Sequence, residues 1–435
     1  MAEWRVRSYL SAPVDVASLA VFRALFGLVL GVAALRFVAK GWVHSQLIQP
    51  RFHFTYPHFE FVRPMAAPLL YAHFALLVVA GLSLALGFRS RLSAAYLAVG
   101  WAYVELIDRA TYLNHYYLAS SLALLLACLP AGAAFSIDAR RRPELGAESV
   151  PRWVLWAVRL QVAVVYVFAG VAKLDGDWLL RAQPLRIWLA AASGKLPWLE
   201  PWLMQPASAF VASWLGAAFD LAVVPLLLWR RTRVAAFAIA AVFHLVTGLL
   251  LPIGMFPWIM LSCATLLLAP DWPRAWLTRR GGWSCATPPR AAAWFVALYC
   301  ALQLAVPIHN HFIVRDSVWT NEGFDFAWKV MVAEKSGSVR FTARDRTSGR
   351  SWSIEPSTYL TPLQELALGR DPRLIVAFAR ELAAELRARD GNDVAIFADA
   401  FASLNGRPAQ RMIAADVDLT RDPLPERVVL PLERN

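Results

Sequence analysis

The sequence predicts an α-helical integral membrane bundle of about nine transmembrane helices, followed by a small α+β extracytoplasmic domain. Three observations carry that prediction. Of the 435 residues, 58% are hydrophobic and 17% charged, whereas a soluble chain of this size is about half apolar and a quarter charged. Apolar runs recur along the first two thirds at lengths that suit a hydrocarbon core of ~30 Å, which takes roughly 17–25 helical residues. After about residue 315 the long runs stop, and short strand-like and helix-like segments separated by turn residues replace them.

The first run, about 16–38, follows a basic segment (Arg5, Arg7) and lacks a small-residue cleavage site behind it, so it is expected to stay as an anchor. Further runs lie at about 66–87, 92–109, 111–130, 152–174, 211–229, 233–251, 253–269 and 291–309. The third and fourth are almost continuous, broken by the polar cluster Glu105, Asp108, Arg109, Asn114 and His115. The eighth is short and flanked by Pro252 and Pro270.

Loop charges set the orientation. Loops after even-numbered runs collect Arg89, Arg91, Arg140, Arg141, Arg142, Arg230, Arg231, Arg233, Arg274, Arg279, Arg280 and Arg290. Loops after odd-numbered runs hold fewer over a longer stretch: Lys40, Arg51, Arg63, Arg109, Arg181, Arg186 and Lys195. The bias places the N-terminus in the cytoplasm and, with an odd number of crossings, the C-terminal domain outside. In a bacterial inner membrane, the expected location, outside means the periplasm or beyond. The same bias accounts for the net charge of +12 without a nucleic acid partner. Cys128, Cys263, Cys285 and Cys300 form neither a CxxC pair nor a disulfide framework.

Two outer loops are rich in rings: 50–61, with Phe52, Phe54, Tyr56, Phe59 and Phe61, and 175–210, with Trp178, Trp188, Trp198 and Trp202. Aromatic rings favour the membrane interface, so each loop reads either as an interface-lying segment or as a lid over a site in the bundle.

In the C-terminal part, residues 326–332, 339–345 and 350–354 read as strands, with a turn at Ser348-Gly349. Thr361-Pro362-Leu363-Gln364 is a capping-box helix start. Asp371-Pro372 interrupts that helix, and an amphipathic helix runs from about Arg373 to Arg389. Residues 393–404 alternate as a strand before the turn Asn405-Gly406. The division is therefore a transmembrane domain over 1–314 and an extracytoplasmic domain over 315–435.

Ionisable and strongly polar groups inside spans are costly and mark functional sites by default. The candidates are Glu105, Asp108, Asn114, His115, Lys173, Asp220 and His244. His244 reads equally as an interhelical hydrogen bond or a catalytic group, and Asp220 as a paired or neutral helix contact. Lys173 ends an apolar stretch, Gln161–Trp178, and has two readings. It can snorkel to the membrane surface, or face the interior, where desolvation favours a neutral amine able to act as a base. P-loop, GxGxxG, HExxH and GxSxG motifs do not occur, so nucleotide-binding, zinc-protease and serine-hydrolase readings lack support, and no metal is expected.

Several segments recur in a known order: Leu19–Gly27 (LAVFRALFG), Tyr112–Leu118 (YLNHYYL), Val165–Trp178 (VYVFAGVAKLDGDW), and His244 with Ile253–Phe256 (IGMF). Beyond the bundle follow Trp319–Gly323 (WTNEG), Trp328–Val332 (WKVMV), Ser403–Arg407 (SLNGR) and Val417–Leu419 (VDL). Together they resemble the vitamin K-dependent γ-glutamyl carboxylases and their bacterial relatives, the group that shares the HTTM membrane domain. The AGxxKLDxDW element around Lys173 is the most specific piece.

The resemblance implies an enzyme that oxidises a reduced naphthoquinone with O2 to its epoxide and couples this to carboxylation of glutamate side chains by CO2. In that scheme Lys173 is the base that deprotonates the reduced quinone, a strongly basic alkoxide then removes a glutamate γ-proton, and the carbanion captures CO2. The resemblance puts Asn114 and His115 at the quinone oxygen and in catalysis. It adds His244, Met255 and Phe256 to the cofactor site, and Trp319, Trp328 and Lys335 to the substrate side. The implied cofactor is reduced vitamin K or a menaquinone-like hydroquinone, with O2 and CO2 as co-substrates. The implied partners are the lipid bilayer, the naphthoquinol and a Glu-containing peptide or protein. The resemblance selects the buried-base reading of Lys173.

Two departures bear on this. The animal enzymes carry a histidine shortly after their W-x-M-M-V segment, whereas Ala333-Glu334-Lys335 follows Val332 here. Animal members also continue with a further C-terminal portion, so peptide recognition in their manner is not implied. Quinol epoxidation or oxidation without carboxylation, and a non-catalytic quinone- or lipid-binding membrane protein, are the alternatives. The joint presence of Lys173, Asn114 and His115 favours an enzyme, because a carrier needs no base. Paired Gly/Pro-interrupted helices, the usual mark of an alternating-access transporter, are not evident.

Overall fold

The computed structural model describes residues 2–275, 284–421 and 428–433. A short helix α1 (Ala2–Ser11) and strand β1 (Pro13–Asp15) precede the bundle. The bundle comprises α2 (Ala17–Ala39), α3 (Ala67–Leu86), α4 (Ser90–Ile107), α5 (Asn114–Cys128), β2 (Ser149–Pro151) and α6 (Arg152–Ala172). It continues through the short α7 (Gly176–Arg181) and α8 (Leu185–Ser193) to α9 (Pro206–Leu228), α10 (Arg233–Leu250), α11 (Phe256–Leu267) and α12 (Arg290–Phe312).

Each expected apolar run is therefore a helix, but six of these helices (α2, α3, α6, α9, α10 and α12) are long and apolar enough to cross a membrane. The remaining three fall short for visible reasons. Ser90, Arg91, Ser93 and Glu105 dilute α4, and the polar break before Asn114 leaves α5 with 15 residues. Gly254, at φ 60°, and Pro257 delay α11, which has 12 residues. Small residues weld the first pair of helices: a Cβ on Gly81 would sit 2.6 Å from the Cα of Gly31, so backbones rather than side chains meet there, as is common between membrane helices.

The two ends of the bundle differ. At one end β1 pairs antiparallel with β2, Arg274 Nε lies 2.5 Å from Asp15 Oδ2, and Asp138 accepts hydrogen bonds from the backbone of Arg89 and Ser90. The N-terminal segment thus gathers with the connections after α3 and α5. Arg279 and Arg280, counted in the loop charges, lie outside the described residues.

At the other end sits the C-terminal domain. Its sheet has the order β4 (Ser351–Ile354), β3 (Lys335–Asp345), β5 (Val394–Leu404), β6 (Gln410–Arg411), all antiparallel. The helices α13 (Pro362–Leu368) and α14 (Pro372–Asp390) follow β4 in the chain. Thr361 and Gln364 form the capping box, Asp371 caps α14, and Gly391 at φ 71° ends it. Leu374, Ile375, Phe378, Leu382 and Leu386 form the buried stripe of α14, the spacing of an amphipathic helix packed on a sheet.

Residues 326–332, expected as a strand, are not one. Phe326, Trp328 and Met331 have φ of 60°, 58° and 51°, a left-handed backbone that cannot join a ladder. The segment instead winds across the mouth of the bundle. The loop 50–61 also departs from both of its readings: Phe54 is buried in the core of the C-terminal domain, with Phe52 packed edge-on against it. It is a docking strip, and Gln364 Nε2 clamps it by donating to Phe52 O and to Asp108 Oδ2, each at 2.7 Å. In 175–210 the rings divide. Trp198 and Trp202 are exposed, while Trp178 and Trp188 turn inward.

Candidate active site within the helical bundle

A cavity of about 780 Å³ lies between α6, α9, α10 and the start of α11, closed on the side of the C-terminal domain by Val330 and Met331. Its wall is apolar except for a few groups, chief among them Lys173, Asp220, Tyr166 and His244. That composition, many apolar contacts and a few convergent polar atoms, is the usual make-up of a small-molecule site of this size.

Lys173 is the residue at which α6 ends. Its Nζ lies 2.8 Å from Asp220 Oδ2 and donates to Ala169 O at 3.2 Å and Val330 O at 3.1 Å. Nζ also stands 5.2 Å from the centre of the Trp178 ring. Snorkelling is thereby excluded: the side chain is buried and turned into the bundle. A carboxylate from α9, Asp220, is its partner.

The local sequence explains the pairing. Gly170, one turn before Lys173, faces α9 so closely that a Cβ there would lie 2.7 Å from Leu221 Cδ2 and 3.2 Å from Asp220 Cβ. Glycine at this point lets α6 and α9 approach until the lysine and the aspartate meet. Ionisable groups buried in a bundle are held by pairing, and here the pair sits on the cavity wall.

His244, on α10, is 2% exposed. Its Nε2 lies 2.7 Å from the Tyr166 hydroxyl, and its Nδ1 has no partner among the described residues. A buried ring nitrogen without a partner is costly, and the ring that carries it lines the cavity. Phe256 stands between two histidines, its ring centre 6.3 Å from that of His244 and 6.3 Å from that of His115.

His115 and Asn114 do not line the cavity. His115 is buried behind Phe256, its ring packed on Tyr116 at 4.4 Å. Its neighbour there is Arg36: a Cβ on Gly254 would lie 3.3 Å from Arg36 Nη1 and 4.0 Å from His115 Nε2. Asn114 Oδ1 accepts a 3.0 Å hydrogen bond from the Tyr112 hydroxyl, and Met255 is buried in the bundle core. Lys173 and His244 are therefore brought to one cavity, with Phe256 as the partition toward His115.

The residues expected on the substrate side lie beyond the mouth. Trp328 is buried and stacked on Tyr117, with ring centres 4.9 Å apart. Trp319 is buried in the C-terminal domain, its Nε1 donating to Leu430 O at 2.7 Å. Lys335 Nζ donates to Trp319 O at 2.6 Å and to Asn321 Oδ1. Burial lowers the Lys335 ammonium to about 7, with nearby Asp371 opposing that fall and Arg373 adding to it. Burial likewise lowers neighbouring Lys329, on the segment that covers the mouth, to about 8.

The AGxxKLDxDW element is clasped from outside. Arg407 donates to both carboxylate oxygens of Asp177, Nη1 at 2.5 Å and Nη2 at 2.7 Å, and Asn405 Nδ2 donates at 3.0 Å. Glu334, beside the mouth, is occupied: it accepts from Trp188 Nε1 at 2.8 Å and pairs with Arg370 at 3.5 Å. Sequence reasoning missed Tyr166, Gly170 and Arg36. The Lys173–Asp220 pair did have a signal, since opposite charges in two otherwise apolar spans must find partners.

Residues 11–272 match the family model described as HTTM domain, and residues 289–434 match the one described as vitamin K-dependent gamma-carboxylase, lumenal domain. No solved structure matches the chain.

Proposed function

Since the chain belongs to the vitamin K-dependent gamma-carboxylase family, with both its HTTM and its lumenal domain, we propose that it oxidises a reduced naphthoquinone inside the bundle and carboxylates glutamate side chains at the mouth. The observation that carries this reading is the Lys173–Asp220 pair on the wall of an apolar cavity shared with His244. A lipid-binding pocket has no need of a buried amine held by a carboxylate.

The residues present fit a reduced quinone. The cavity suits an apolar bicyclic ring, and the His244 ring, whose Nδ1 has no partner among the described residues, stands in its wall. When bound, the reduced quinone supplies with O2 the strong base that takes a γ-proton from glutamate, CO2 adding to the carbanion and the quinone leaving as its epoxide. Lys173 Nζ takes the proton from the quinol hydroxyl, and Asp220 holds the resulting ammonium in place. Tyr166 fixes the His244 ring, Phe256 walls the cavity off from His115, and Val330 with Met331 keeps water out, which protects strongly basic chemistry from quenching. Glu334, already held by Trp188 and Arg370, does not stand as a free negative charge against an acidic peptide.

The topology is part of the proposal: nine crossings, N-terminus in the cytoplasm and C-terminal domain outside. Its support is that loops after the first, third and fifth runs dock on the C-terminal domain, while those after the second and fourth gather with the N-terminal segment.

The test is purified protein in detergent with reduced vitamin K or menaquinone, O2, radiolabelled CO2 and a Glu-rich peptide. Epoxide together with label in the peptide is the expected result. Epoxide without label restricts the activity to quinol oxidation, and epoxide formation that survives Lys173→Ala removes Lys173 as the base.

A further inference from the structure

At the end of the bundle opposite the C-terminal domain, residues 88–92, 130–133 and 138–145 converge on a concavity of about 620 Å³. Its wall carries Arg89, Arg91, Arg141 and Arg142. Among the described residues none of these guanidinium groups has an ion-pair partner. The single acid of the wall, Asp138, is already committed. Its Oδ1 accepts from Arg89 N at 2.8 Å, and its Oδ2 from Ser90 N at 2.8 Å and Ser90 Oγ at 2.9 Å.

Orientation signals require only that arginines lie in the loops on one side. Here two loops bring them onto one concave surface, and the guanidinium groups of Arg89 and Arg141 stand over the same ring, Phe88, at 5.7 Å and 5.4 Å. Four guanidinium groups against the one carboxylate of Asp138 leave the cup positive, and guanidinium forks match phosphate oxygens in geometry and charge. The cup also has an apolar flank: Leu86 at the end of α3 and Leu92 at the start of α4 are 60% and 62% exposed. A ligand with its phosphate in the cup would lay its apolar part along these two helices.

We propose that this concavity binds the phosphate headgroup of an anionic phospholipid from the leaflet at that end of the molecule. The charge of the cup selects an anion, and Leu86 and Leu92 select one that carries acyl chains. The proposal is independent of the quinone reading, since it uses no residue of the cavity.

The test is native mass spectrometry of the full-length protein in detergent, titrated separately with phosphatidylglycerol, phosphatidylcholine and inorganic phosphate. The wild type should take up its first phosphatidylglycerol more tightly than phosphatidylcholine. In Arg89→Gln/Arg141→Gln that first site should weaken about 25-fold, from the roughly fivefold each basic residue contributes at an anionic surface. The lysine version, Arg89→Lys/Arg141→Lys, should keep most of the affinity. Equal uptake of the two lipids, or a preference that survives the glutamine changes, overturns the proposal. Inorganic phosphate that occupies the site as well as phosphatidylglycerol assigns the cup to a soluble anion and overturns the lipid source. If the glutamine variant fails to fold, salt titration of the wild type decides, because a preference for phosphatidylglycerol that is indifferent to salt does not come from the arginines.

Discussion

Lys173 and Asp220 meet at 2.8 Å across the α6–α9 contact, each buried, at the wall of an otherwise apolar cavity. Removing one member of such a pair strands the other, which costs about 3–5 kcal/mol, whereas replacing both by apolar residues is near neutral. Lys173→Ala and Asp220→Ala should therefore each lower the unfolding temperature and abolish epoxide formation. Lys173→Met/Asp220→Leu should recover the unfolding temperature with no return of activity. Thermal unfolding and epoxide assays on the same preparations separate the two effects, and activity in the double variant would sink the assignment.

The approach of α6 to α9 rests on Gly170. A valine there would drive its side chain into the Leu221 side chain and Asp220 Cβ, and overpacking of this kind costs about 1–3 kcal/mol. Gly170→Val should lose more activity than its stability loss explains, because the helices part and the lysine leaves its partner. Gly176→Ala is the control, since a Cβ there meets nothing within 4 Å. Equal activity in the two variants would show that the spacing at Gly170 is irrelevant.

His244 lines the cavity and carries a buried, unpartnered Nδ1. His244→Leu keeps the bulk of the ring but removes the hydrogen bond, so the KM for the quinol should rise roughly tenfold, about 1.4 kcal/mol, with kcat less affected. A change confined to kcat would move His244 from binding to the chemical step. Tyr166→Phe should show a smaller rise, since it frees the ring without removing it.

These residues also mark how far the chain could be read in advance. Hydrophobic run lengths located each bundle helix because lipid leaves no cheaper arrangement than a helix for an apolar run. Capping chemistry likewise located α13 and α14, where Thr361, Gln364 and Asp371 act through local bonds. Residues 326–332 misled because their alternation is apolar on both sides of a backbone that turns left-handed to cross the mouth, a choice dictated by contacts with Tyr117 and Lys173 distant in sequence. Loop 50–61 misled for the same reason: its rings found the C-terminal domain, which composition cannot distinguish from a membrane interface. Lys173 and His244 were legible as costly polar groups. Their partners, Asp220 and Tyr166, depend on how the helices rotate against one another, and periodicity does not give that rotation.

Lys335 gives a pH signature. Its ordinary value is 10.5, and burial brings it to about 7 in the folded protein. Between those values the unfolded chain binds more protons than the folded one, so this residue makes stability rise with pH across that window. Below about pH 7 its cost is fully present; above the unfolded value it is gone. Lys335→Met should flatten the rise in unfolding temperature between about pH 7 and 10, leaving a smaller slope from Lys329, which is lowered in the same way to about 8. An unchanged slope would mean that Lys335 is not desolvated.

The arrangement of the two ends predicts a labelling pattern. Cys285 is exposed and sits at the N-terminal end, bridged to Ser149, while Ser348 lies at the exposed β3–β4 turn of the C-terminal domain. In sealed vesicles of one orientation, a membrane-impermeant maleimide should reach either Cys285 or the thiol of a Ser348→Cys variant, and reach both only after permeabilisation. With intact cells the Ser348→Cys site should label and Cys285 should not if, as proposed, the arginine-rich loops face the cytoplasm. Labelling of Cys285 in intact cells would invert the molecule and put the glutamate-facing domain in the cytoplasm. Labelling of both in sealed vesicles would mean an even number of crossings between them, so that α12 (Arg290–Phe312), the long helix between the two sites, would not cross the membrane.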